Sequence, residues 1–339
     1  MKVFLTALRE NEQISLFEAH AAFSKRHQLE SDPSASDLIL IFGSSALDPK
    51  RLLECEVYRK FPDRCTAYSE EDYFLPLLPG IHTSAPKSLH TRIGRIFNFA
   101  YIGRNGRHAN RYIGETTAGA PIGATAVKHY LFSFLGGSTS LVRKRLFNLR
   151  FNRSDLRIEN TSTYWHWDNS QPDRYERQKC YAESVAASHF VLCPRGASAG
   201  SSRFWEVMAA GVAPVLISDD YELTPGPDWD KFLIRVRERD VAKLPSILEP
   251  QLESAAERGR LARKTYDEFF SIESEFDCAV ELAARALRHG PPSEEYFRRR
   301  HGAMFRKFQW KLKSRAVLRE AALKTLRALH LKNPYQMNR

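Results

Sequence analysis

Short apolar runs alternate along the chain with longer amphipathic stretches. Lys2–Ala7 (KVFLTA) predicts a strand, and Ile14–Arg26 has helical spacing with Leu16, Ala19 and Phe23 on one side. Asp37–Phe42 (DLILIF) is a continuous apolar run, the pattern of a strand buried on both faces of a parallel sheet. Pro49–Lys60 returns to helical spacing. Asp72–Leu78 (DYFLPLL), ending at Pro79-Gly80, and Ile96–Ile102 (IFNFAYI) are further strand candidates. From Gly114 to Arg150 the chain is Gly- and Thr-rich and then basic, and the pattern predicts no firm element.

A second cycle begins near Arg174, with a helix over Arg174–Ser188 and a strand over His189–Cys193. A loop of small residues, Arg195–Ser202, leads into a helix over Arg203–Ala210. Strands follow at Ala213–Ile217 and Phe232–Val236, then helices at Leu252–Phe270 and Ser274–Arg288. Strand–helix alternation of this kind predicts an α/β fold with parallel sheets. A polar segment between Tyr164 and Pro172 is the expected junction, giving residues 1–168, 169–290 and a tail of 291–339. The length of 339 residues agrees, at roughly 150 per domain.

Charge adds something that the pattern does not. The net charge is +11, yet residues 291–339 alone carry 13 Lys+Arg against 3 Asp+Glu, so the first 290 residues are near neutral. A basic tail with Phe297, Phe305, Phe308 and Trp310 among its cations reads as one or two amphipathic helices. Its partner would be an anionic membrane surface, nucleic acid, or the N-terminal domain itself; nucleic acid is not the favoured choice. The five cysteines are scattered and contain no C-x-x-C, which disfavours a disulfide framework or a structural zinc site. The N-terminal apolar stretch is too short for a signal-peptide core, and no run approaches the roughly 18 residues of a membrane span. The expected location is the cytoplasm, or the periphery of the inner membrane face.

Candidate chemistry concentrates in HFVLCPRGASAGSSRFWEVMAAGVAPVLISDDYELTPGPDW, His189 to Trp229. Gly196, Gly200, Ser201 and Ser202 let backbone N–H groups approach a phosphate, and the following helix presents its positive end there. Arg195 and Arg203 supply bidentate donors for phosphate oxygens. Glu206 lies one turn beyond Arg203 and suits a pair of sugar hydroxyls. The same segment also suits an ordinary βαβ unit with a surface arginine.

Taken together, Pro194-Arg195-Gly196, Ser201/Ser202-Arg203, Glu206, Gly211-Val212-Ala213-Pro214-Val215, Asp219-Asp220-Tyr221-Glu222-Leu223 and Asp228-Trp229 resemble the C-terminal segment of the exostosin-type glycosyltransferases. The likeness covers Arg174–Leu248 well. Upstream it is looser, at Asp72–Pro76 and Phe99–Arg104. It implies a GT-B architecture, with two Rossmann-like domains facing a cleft and the nucleotide sugar on the C-terminal one. It also implies an inverting transfer, from a UDP-sugar first of all, to a polysaccharide, lipopolysaccharide or glycolipid. By the same resemblance Arg195, Arg203, Ser201 and Ser202 would face the diphosphate. Glu206 would hold ribose or sugar, and Asp220 and Tyr221 would lie beside base or sugar. A fucosyltransferase-like enzyme using a GDP-sugar, or a non-catalytic binding protein acting through its tail, are the alternatives.

Departure of a nucleoside diphosphate needs positive charge, which the arginines and loop amides supply without metal. No cofactor is therefore expected, although Asp228-Trp229-Asp230 spells a D-x-D. A base must take the acceptor proton, and Glu71, Asp72 and His82 are the candidates, on loops after strand ends. Arg104, in a basic glycine loop, would reach donor phosphates or an anionic acceptor, or stay solvated. Tyr164–Trp167 packs three aromatics and a histidine at the expected junction, either sugar-facing or core. Cys193 is read as packing.

Overall fold

The computed structural model describes residues 1–288 apart from 9–11, 44–51, 53, 71–77, 88–94, 102–108, 114–115, 118–119 and 165–170. Glu71, Asp72, Arg104, Trp165–Trp167 and the basic tail lie outside the described residues.

Two parallel sheets carry the fold, as the α/β expectation requires. The first is built from β1 (Lys2–Ala7), β2 (Gln28–Leu29), β3 (Leu38–Phe42), β4 (Cys65–Ser69), β5 (Gly80–His82) and β6 (Ile96–Asn98). Its order is β2-β1-β3-β4-β5-β6. A short antiparallel pair, β7 (Thr116–Thr117) and β8 (Ala120–Pro121), follows. The second sheet holds β9 (Tyr130–Gly136), β10 (Leu156–Asn160), β11 (Ser188–Pro194), β12 (Ala213–Ile217) and β13 (Ile234–Arg235), in the order β10-β9-β11-β12-β13. In both sheets the second strand lies outside the first and later strands add on the other side. Such a sheet has a switch point beside its first strand, where neighbouring loops diverge and leave a crevice at the carboxyl ends.

The apolar runs explain the strands. All five residues of β3 are buried, as are all five of β12. On the side away from β3, β4 pairs with β5, which starts at Gly80, where the sequence marks a strand end. Gly80 has φ +144°, and a Cβ there would sit 2.3 Å from the Ala67 carbonyl oxygen, so only glycine lets β5 approach β4.

The second sheet begins at Tyr130, ahead of the expected junction near Tyr164–Pro172. Its first two strands fall in the stretch that the pattern leaves blank or assigns to the first domain. Ser133 interrupts the apolar run of β9, but its hydroxyl accepts from Ser188 Oγ at 2.7 Å inside the sheet, so the buried polar atom is satisfied.

The helix Glu275–Leu287, within the span 169–290, packs against β4, β5 and β6 and against the helix Glu12–Ala21. Its buried face carries Phe276, Ala279, Val280 and Ala283, and Phe276 meets Phe17 with ring centroids 4.8 Å apart. One continuous core joins the two sheets. Trp205, Trp229, Phe232 and Phe270 occupy its middle, and Phe99 meets Phe270 at 5.3 Å. Trp229 stays satisfied there because its indole N–H donates to the Thr224 carbonyl at 2.7 Å. Among the described residues no helix is long and apolar enough to cross a membrane.

Candidate functional site

The switch point of the second sheet lies between β9 and β11. Two short segments meet there: Gly136–Ser140 after β9, and Arg195–Ser202 after β11. The first runs into the helix Leu141–Asn148, whose N-cap is Ser140, and the Ser140 hydroxyl donates to the Arg195 carbonyl at 3.0 Å.

Arg143, on the first turn of that helix, pins the two segments together. It is buried. Its Nε donates to Arg195 O at 3.0 Å, its Nη2 to Pro194 O at 3.1 Å and Ser201 Oγ at 3.4 Å, and its Nη1 to Gly137 O at 3.3 Å. Its guanidinium also lies over the Phe134 ring at 5.5 Å. The loop closes on itself, with Gly196 N–H donating to Gly200 O at 2.9 Å. Arg143 is a site residue that the sequence reading did not single out; the glycine pair before a serine cap and a basic helix was the available signal.

Arg203 and Glu206 converge on one aromatic side chain. The guanidinium of Arg203 lies over Phe134 at 4.7 Å and over Tyr181 at 5.5 Å, and it donates to the Leu135 carbonyl. Its Nε is buried and makes no hydrogen bond among the described residues. The Tyr181 hydroxyl donates to Glu206 Oε2 at 2.9 Å. Burial, together with the Glu206 carboxylate, pushes the Tyr181 phenol well above its ordinary pKa, so it keeps its proton and remains a donor. Gly136 makes room for this arrangement: a Cβ there would lie 2.8 Å from Arg203 Nη2.

Other predicted residues take different positions. Arg195 turns to Glu238, donating from Nε to Oε1 at 2.7 Å with both side chains about a quarter exposed. Ser201 is buried under Arg143, and Ser202 is half-buried at the helix start. Tyr221 is buried rather than open to a base. Its hydroxyl donates to Thr83 O at 3.4 Å, and burial raises its pKa. Asp220 is exposed, and its carbonyl accepts from Lys87 N–H at 2.7 Å. Cys193 is buried, which pushes its thiol up to about 12 and suits packing.

The first sheet reaches this loop through the segment after β5. His82 is buried at the end of that strand, two residues before Ser84. Gly200 N–H donates to Ser84 Oγ at 2.7 Å, and Ser84 Oγ also contacts Ser198 Oγ. His82 is thus placed on the segment that touches the loop. Asn98 holds the other side of the seam, with Nδ2 donating to Glu222 O at 2.9 Å.

Among the described residues no three His, Cys, Asp or Glu side chains cluster to hold a metal. Asp228 of the D-x-D pairs with Lys231 at 2.9 Å on the surface. A separate cavity of about 670 Å³ is lined by Phe99, Thr224, Gly226, Phe269, Leu282 and Arg285, and by none of the crevice residues.

Residues 120–250 match the Exostosin GT47 domain. The chain is 38% identical over 105 residues to the Exostosin-1 homolog of Caenorhabditis elegans, covering 30% of this chain and 26% of that protein. It is 32% identical over 140 residues to Exostosin-1 of Drosophila melanogaster, covering 36% and 18%. It is also 43% identical over 72 residues to "Probable glucuronoxylan glucuronosyltransferase IRX7" of Arabidopsis thaliana, covering 20% and 16%. The matched stretches thus span about a quarter or less of these relatives' length. A crystal structure of Anabaena HepE in complex with UDP overlays with a TM-score of 0.41 at 10% identity, over 85% of this chain and 99% of that one. Residues 120–250, the part of the chain that matches the Exostosin GT47 domain, contain β8 to β13, the crevice and both arginines.

Proposed function

From that match we propose that the chain is a glycosyltransferase whose nucleotide-sugar donor binds at the β9–β11 crevice. The acceptor would be a hydroxyl of a glycan or glycolipid. One observation carries this reading: the family-matched segment coincides with the switch point, and Arg203, Glu206 and the Arg195–Ser202 loop converge there. Arg203 Nε has no hydrogen-bond partner among the described residues, and a phosphate oxygen would supply one. Glu206 is half-buried and ties one oxygen to Tyr181, which leaves the other for sugar hydroxyls. Arg195 would exchange Glu238 for the diphosphate.

The proposed reaction is a single inverting displacement on a UDP-sugar. The acceptor oxygen forms its bond to the anomeric carbon as the bond from that carbon to the phosphate oxygen breaks. The electron pair of that bond leaves with the nucleoside diphosphate, and a base takes the acceptor proton. His82 is a candidate from the first sheet; Glu71 and Asp72 are the others. Charge on the leaving diphosphate would be met by guanidinium groups and loop amides, so turnover is proposed to be independent of a divalent metal. Residues 291–339 would hold the enzyme at an anionic membrane surface near a glycolipid acceptor.

The test is release of nucleoside diphosphate from a panel of UDP- and GDP-sugars by the full chain, with and without EDTA. Turnover that persists in EDTA and falls at least 100-fold in Glu206→Gln supports the reading. A hundredfold is about 2.7 kcal/mol, the size of a lost transition-state contact. No release from any donor, or equal release by the variant, overturns it. Preference for a GDP-sugar would correct the nucleotide alone.

A further inference from the structure

The Tyr181 side chain touches both residues on which the donor reading rests. Its ring lies under the Arg203 guanidinium and its hydroxyl reaches Glu206 Oε2. It comes from a different element, the helix Arg174–Ala186, which packs against β9 and β11. The positions of Arg203 and Glu206 are therefore set from outside their own short helix. A glutamate has three rotatable bonds, and a half-buried one is held in one direction only by a partner. The phenol that holds it donates and does not compete for the proton, because burial and the carboxylate itself keep the phenol protonated.

We propose that Tyr181 is a positioning residue. By occupying Oε2 it aims Oε1 of Glu206 at the hydroxyl groups of the bound ribose, and it thereby selects for a ligand carrying those hydroxyls. The proposal rests on the donor-site reading above and adds a specific consequence. Loss of the Tyr181 hydroxyl falls on the ribose contact and spares the diphosphate contact, because the ring that supports Arg203 is kept in Tyr181→Phe.

The experiment is calorimetric titration of the full chain with UDP and with 2′,3′-dideoxy-UDP. Wild type, Tyr181→Phe, Glu206→Gln and the double variant are compared. Tyr181→Phe should weaken UDP binding about tenfold, the range for a hydrogen bond to a charged group. Binding of the dideoxy compound should be unchanged. In the Glu206→Gln background the same substitution should cost nothing further, since its partner has lost its charge and its fixed role. Equal weakening of both ligands would make Tyr181 a packing residue and overturn the proposal. So would unchanged UDP binding, or additive losses in the double variant. If Tyr181→Phe does not fold, the Glu206→Gln arm decides: selective loss of UDP over the dideoxy compound supports the ribose assignment, and equal loss refutes it. Failure of wild type to bind either ligand or GDP would remove the donor site itself and the proposal with it. Binding by wild type with no selective loss in the variants removes only the role of Tyr181.

Discussion

Arg143→Met removes the side chain that fastens the two crevice segments while leaving an unbranched chain of similar reach in the same space. The guanidinium donates to Pro194 O, Arg195 O and Gly137 O and to Ser201 Oγ, from a buried position. A hydrogen bond to a charged group is worth about 1.5–3 kcal/mol when a partner is removed. The bonds share one cation and cannot be added. Breaking such a buried network costs about 3–5 kcal/mol in total. At about 2–4 °C per kcal/mol for a unit of this size, Tm falls by roughly 10 °C. Arg143→Lys keeps the charge and three donors but loses the fork, and should fall about half as far. Lys144 is the internal control, one residue on in the same helix and exposed, so Lys144→Met should move Tm by less than about 2 °C. Thermal unfolding followed by circular dichroism reads all three. An Arg143→Met shift no larger than that of Lys144→Met would refute the reasoning, because it would mean the carbonyls find equivalent partners without the guanidinium.

Two further outcomes follow from the same geometry. Gly136→Val drives a side chain into space within 2.8 Å of Arg203 Nη2 and 3.0 Å of Phe134; it should cost about 1–3 kcal/mol in urea unfolding and weaken nucleotide binding well beyond that, whereas an equal effect on both readouts would show that Arg203 is not a ligand group. Lys128 donates to Gly123 O and Ala186 O at 2.7 Å each, and burial lowers its pKa to about 8. Its unfolded value is near 10.5, so the unfolded chain binds more protons between about pH 8 and 10.5 and stability from this group rises across that window. Subtracting the Tm profile of Lys128→Met from that of wild type should show the rise; a flat difference would sink the assignment.

Much of the fold was legible because parallel strands that are buried on both faces are written as unbroken apolar runs. Ala213–Ile217, buried throughout, appears at the bounds its run implies; the half-buried Lys2–Ala7 also keeps its expected bounds, and the helix at Arg174 starts where its spacing starts. β9 was not legible, because Ser133 breaks its run and is satisfied by distant groups, the Ser184 carbonyl and the Ser188 hydroxyl, the latter 55 residues away. The helix after it was hidden for the opposite reason: its inward face includes Arg143, a cation whose partners are carbonyls of another strand. The same non-locality governs the site. That Arg203 and Glu206 share a helix face is a matter of spacing, but Tyr181, which joins them, comes from an earlier helix that no local pattern connects to them. Tyr221 and Arg195 show the converse. Their types suited a ligand, and the fold gives one to the seam at Thr83 and the other to Glu238.

Hydrogen–deuterium exchange of the full chain with and without saturating UDP locates the donor most directly. Ligand contact should slow exchange of backbone amides in the crevice segments, 135–143 and 194–206, because bound phosphate and ribose suppress local opening there. Peptides around the separate cavity, covering Phe99, Thr224–Gly226 and Leu282–Arg288, should exchange as before. Protection of the cavity peptides with the crevice unchanged would contradict the account.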